Sequence, residues 1–186
     1  MFSFLFKKSN SDTIPQQLYG SLMAQAREPL LYAKIGVPDT VMGRFDMLAM
    51  HVYLFARRLR RVDSEVSIAL SQDVFDLFVA DIERALRELG IGDTTVPKRK
   101  KRMVRSFYGQ IEDFDAPLAD EDLELLTQRA ANRYLAETDQ PDADGLARYM
   151  IELAKSLDEQ SFDHMIRGTL ELPEKNTLFP SDQIET

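Results

Sequence analysis

Only two histidines, His51 and His164, and no cysteine occur in this chain of 186 residues. Imidazole is the side chain best suited to acid–base work near neutral pH and a frequent metal ligand, while the thiolate is the usual soft ligand or nucleophile. The missing cysteine excludes disulfides, thiolate metal sites and cysteine nucleophiles together. The two histidines stand far apart, and His51 falls in the middle of the most apolar stretch. It reads as a core histidine hydrogen-bonded to a neighbouring helix. No G-x-S-x-G elbow, G-x-x-x-x-G-K-[ST] phosphate loop, H-E-x-x-H pair or EF-hand loop is present. The expectation is a protein without catalytic, cofactor-binding or metal-ligating residues, and not an enzyme.

Other groupings have structural explanations that outweigh chemical ones. Gly90-Ile91-Gly92-Asp93-Thr94-Thr95 resembles a phosphate cradle, but it follows a helical pattern and not a strand, so it reads as one helix's C-cap and the next one's N-cap. Seven carboxylates lie between Glu112 and Glu124. They suit a solvated face and a dipole-matched helix start. Met47, Met50 and Met103 suit an adaptable binding surface, with core packing the better reading. The charge is more informative. The formal net charge is −8 and the pI about 4.9, which argues against a general nucleic-acid binder and against DNA as a partner. Yet ten of the 23 basic residues fall in two clusters, Arg57-Arg58-Leu59-Arg60-Arg61 and Lys98 to Arg102 with Arg105. Concentrated cations on an acidic protein suggest a docking surface, for ribosomal RNA, anionic lipid headgroups or an acidic protein.

The elements that must carry these residues are helices throughout. Apolar residues recur at helical spacing and no segment alternates with period two, so the chain is expected to be all-α, a single compact domain of about six to eight helices. Its size and hydrophobic content of 44% suit one core. The division expected is an N-terminal extension over 1–14, a helical domain over 15–172 and a loose tail over 173–186. Helices are predicted over about 15–27, 41–62, 71–89, 95–114, 120–136, 142–157 and 162–170, with Pro29 redirecting the first and Pro117 opening a new one. The helix over 41–62 is apolar nearly all round and should be central. On the helix from Thr95, Lys98, Lys101, Arg102 and Arg105 fall on one side, with Val104, Phe107, Ile111 and Phe114 opposite. These four cations are the candidate docking residues. No run approaches the roughly 18 apolar residues of a membrane span. The start, with Phe2, Phe4, Leu5 and Phe6 before Lys7 and Lys8, is unlike a signal peptide and reads as a weak peripheral anchor or a tucked end of an unexported protein.

Several phrases, read in order, resemble the ubiquinol-cytochrome c chaperone family. They are Ala24-Gln25-Ala26-Arg27 with Pro29 and Tyr32; Gly36-Val37-Pro38-Asp39-Thr40 with Gly43-Arg44-Phe45-Asp46 and His51; Gln72 with Phe75-Asp76; Arg87-Glu88 with Gly90 and Gly92-Asp93; and Met103 before Phe107-Tyr108-Gly109. The resemblance implies a bacterial, cytoplasmic helical chaperone that holds newly made cytochrome b and promotes its haem loading and assembly into the bc1 complex, without a cofactor of its own. A ribosome or an anionic membrane surface on the inner face of the inner membrane is a further expected partner; the small helper subunit of the mitochondrial members is left open. Asp39, Arg44 and Asp46, in the most specific phrase, are read equally as a turn-fixing network and as partner contacts.

Overall fold

Thr40, Ser64, Asp122 and Asp142 each precede a run of helical apolar spacing, and each side-chain oxygen accepts from a backbone N–H three residues on, at 2.8–3.1 Å. These caps satisfy amide donors that a helix start leaves without partners. The computed structural model describes residues 13–139 and 141–173. The residues of the suggested anchor, and all but the first of the tail, lie outside the described residues.

Eight helices and no strand occur among the described residues: α1 Ile14–Ala26, α2 Pro29–Ala33, α3 Val41–Val62, α4 Glu65–Glu88, α5 Val96–Ala119, α6 Leu123–Tyr134, α7 Ala143–Glu159 and α8 Phe162–Met165. The all-α expectation holds. As its composition required, α3 is the hub. Met47, Ala49, Met50 and Phe55 are fully buried, and α1, α4, α5 and α7 pack around it. The turn before α3 depends on Gly43, since a Cβ there would meet the Pro38 carbonyl oxygen at 1.9 Å. No side chain fits that approach. Gly90 takes a left-handed φ of 73° after α4, and Thr95 stands at the α5 N-cap, so the glycine-rich stretch is the expected pair of caps.

Three boundaries differ from the sequence expectation. α4 starts at Glu65, ahead of the expected Ser71, because Ser64 and Ser67 cap each other reciprocally. Its first turns expose Val66 and Ile68, which hide the amphipathic period there. α5 does not stop near Phe114 but runs through Pro117 to Ala119. Proline removes the N–H that would bond the Asp113 carbonyl. That carbonyl and its neighbour at Glu112 accept instead from the Arg129 guanidinium of α6, so the helix continues and α6 is tied to it. Finally, α8 is a single turn and not a helix to Leu170, since the Thr169 N–H returns to the His164 carbonyl at 3.0 Å and closes it.

Candidate functional site

His51 is wholly buried and both ring nitrogens are used. Nδ1 lies 2.7 Å from the Met47 carbonyl oxygen, which can only accept, so Nδ1 carries the hydrogen and donates. Nε2, at 2.6 Å, then accepts from the Tyr149 hydroxyl of α7. Burial pushes the ring pKa down to about 4, against the Met47 bond that favours the charged form. His51 is a neutral clamp between α3 and α7, as its setting in the sequence suggested. Asp46 separates from the expected Asp39/Arg44/Asp46 network. It is half-buried, and burial raises its pKa to about 6, with the Arg133 charge acting the other way. Asp39 and Arg44 do pair, at 2.6 Å, in the open. The Arg44 hydrogen bond holds the Asp39 carboxyl below its ordinary range. The Arg44 guanidinium also stands 5.8 Å from the Tyr32 ring centroid.

The two basic clusters have opposite fates. The first, read as part of a docking surface, is a structural brace. Arg57 is buried between Asp115 and Asp158, at 3.9 and 3.6 Å. Arg58 donates to the Leu157 and Gln160 carbonyl oxygens at the end of α7, each at 2.9 Å. Arg60 bonds Asp115 at 2.6 Å and Arg61 bonds Asp158. Carboxylates from α5 and α7 therefore consume it, and with it part of the acidic stretch. In the second cluster Lys98, Lys101, Arg102 and Arg105 are all exposed, opposite buried Phe107 and Phe114, as the helical spacing predicts. Only Lys100 turns aside, to Glu83 of α4 at 2.6 Å.

The fold also builds a feature that no single segment announces. Between α1, α3, α4 and the start of α5 lies an apolar groove of about 250 Å³. Phe45 and Phe78, stacked with centroids 5.7 Å apart, belong to its lining with Leu48 and Ile82. At the mouth, Val41, Met42 and Leu89 are 42%, 52% and 53% exposed, and Arg44 and Arg99 stand among them. Met23 and Met103 contribute flexible thioether chains to the walls. Met47 and Met50, by contrast, are core residues. A volume just under the roughly 300–1,000 Å³ of small-molecule sites, with an apolar wall and cations at the rim, suits a few side chains of an apolar segment. Val41 and Met42 were the available signal, since they follow the Thr40 cap on a side that the core stripe does not use.

A family profile described as Ubiquinol-cytochrome C chaperone matches residues 33–172. Among solved structures, the crystal structure of the Cbp3 homolog from Brucella abortus is similar, with 33% sequence identity and a TM-score of 0.79. The similarity covers 87% of this chain and 89% of that one. No curated protein matches.

Proposed function

Because the chain belongs to the ubiquinol-cytochrome c chaperone family, we propose that it is a non-enzymatic assembly factor which holds newly made cytochrome b until that subunit joins the bc1 complex. The apolar groove carries this reading at the level of residues. Newly made membrane protein offers apolar segments with no partner yet, and Val41, Met42 and Leu89 offer apolar surface that the folded domain leaves uncovered. Methionine-lined walls repack around different side chains, which suits a hold-and-release function better than a rigid pocket does. Asp39 and Arg44 stand at the edge of this surface, Arg44 within the lining itself.

Two measurements test the proposal. Deleting the gene should lower assembled bc1 complex while transcripts of its subunits stay unchanged; normal cytochrome b in the deletion strain would sink the idea. A photo-cross-linker in place of Leu89 should trap cytochrome b in cells, whereas one at exposed Arg148, on α7 outside the groove, should not.

A further inference from the structure

From Thr94 to Ile111 the chain holds six cations and no carboxylate, in a protein whose formal net charge is −8. Lys98, Arg99, Lys101, Arg102 and Arg105 are exposed, and none enters an ion pair among the described residues. The first basic cluster shows what this sequence does with arginines that serve the fold, since Arg57, Arg60 and Arg61 each meet a carboxylate. Cations three and four apart on one helix repel, and these occupy the first turns of α5, where the helix dipole also disfavours them. Among the described residues nothing neutralises this stripe, an arrangement that suits a negatively charged partner.

The surface beside the stripe identifies what that is. Arg99 belongs to both the stripe and the groove mouth, where exposed Arg27 and Arg44 are further cations and the exposed apolar members, Val41, Met42 and Leu89, carry no aromatic ring. A nucleic acid gains from open aromatic faces on which bases stack, and aliphatic chains add little to it. The one exposed aromatic of the stripe, Tyr108, already packs its ring against Phe75 and Phe107, with centroids at 5.9 and 5.7 Å. The boundary between headgroups and acyl chains accepts both kinds of residue, cations at the phosphates and aliphatic chains just below. We propose that this face docks on an anionic bilayer, with Lys98, Lys101, Arg102 and Arg105 at the headgroups and Val41, Met42 and Leu89 dipping beneath them, so that the groove opens towards the membrane. The acidic remainder of the molecule is repelled, which leaves one orientation of approach.

The inference stands apart from the identity of the client, so vesicles alone test it. The full chain is sedimented with vesicles of phosphatidylcholine and with vesicles in which about one third is phosphatidylglycerol. It should pellet with the second and not the first, and high salt should release it. Lys101→Glu/Arg102→Glu should lower the partition coefficient by about tenfold or more, since each basic residue at an anionic surface contributes severalfold. Met42→Ser/Leu89→Ser should lower it by roughly fivefold through lost apolar insertion. Both pairs are exposed, and thermal melts should show intact folds. Equal pelleting with neutral vesicles, undiminished pelleting of either variant, or preferential binding of single-stranded RNA over anionic vesicles would each overturn the proposal. A negative result here leaves the cytochrome b cross-link at Leu89 standing or failing separately.

Discussion

Two ionisable groups of α3, His51 and Asp46, make opposite contributions to stability over one pH interval. His51 titrates near 6.5 when unfolded and near 4 when folded. Its contribution is therefore complete above pH 6.5 and is lost as pH falls towards 4. The loss is about 3 kcal/mol, because each pH unit separating the two titrations is worth about 1.4 kcal/mol. Asp46 runs the other way. Its folded pKa, about 6, lies above the ordinary carboxylate value of 3.8, so the stability tied to its neutral form is present at acid pH and lost as pH rises through 6. Urea unfolding of His51→Gln between pH 4 and 6.5 should show stability gained on acidification relative to wild type, and Asp46→Asn should show it lost. At neutral pH, Asp46→Asn should be more stable by about 1–2 kcal/mol, since solvent reaching the half-buried carboxylate softens the penalty on its charge. Parallel pH profiles for all three proteins would contradict this. The role of His51 was readable from residue type and surroundings. The separation of Asp46 was not, although it follows from helix geometry: two residues on from Arg44 is about 200° around α3, away from the Asp39 side.

Among the elements, α5 is where spacing and burial agree most closely. Phe107 is 3% exposed and touches Phe75, Phe78 and Tyr108, while the cations opposite it, Lys98, Lys101, Arg102 and Arg105, meet no carboxylate among the described residues. Phe107→Ala should cost about 3–5 kcal/mol. Lys101→Glu/Arg102→Glu should stay within about 0.5 kcal/mol of wild type, with any change towards greater stability, because it relieves repulsion near a helix N-terminus. Chemical denaturation of the three proteins checks both numbers, and a destabilised charge reversal would mean that these side chains serve the fold. The other basic cluster shows why the same reasoning could not separate the two. Arg57 to Arg61 has the same local appearance, and its role is set by Asp115 and Asp158, which only the packing of α5 and α7 onto α3 brings close. The continuation of α5 through Pro117 was hidden for a similar reason. A proline near a helix end reads as a stop unless another element supplies a donor to the freed carbonyl, here Arg129.

At the scale of the whole molecule the groove exists in no segment. Its walls come from four helices and the loop after α4, and residues such as Phe45, Ile82 and Leu86 look in the sequence like ordinary core positions. Helix count, class and the central place of α3 were legible because burial imprints a period on each helix separately; a gap between helices imprints none. The groove can nevertheless be tested without disturbing the core. Ala85 lines it from α4 and is only half-buried, so its methyl faces space that the fold does not use. Ala85→Trp should place an indole in that space and occupy much of the 250 Å³. Filling an open groove forces no core side chain off its rotamer, so the melting temperature should move by no more than a few degrees. The rim and the α5 cations are untouched, and binding to anionic vesicles should persist. Cross-linking from Leu89 to cytochrome b should be lost, and assembled bc1 complex should fall towards the level of the deletion strain. Ala85→Leu, with a smaller side chain, should give an intermediate loss. Full bc1 assembly with a folded Ala85→Trp protein would place the client elsewhere on the surface, because a filled groove cannot also hold an apolar segment.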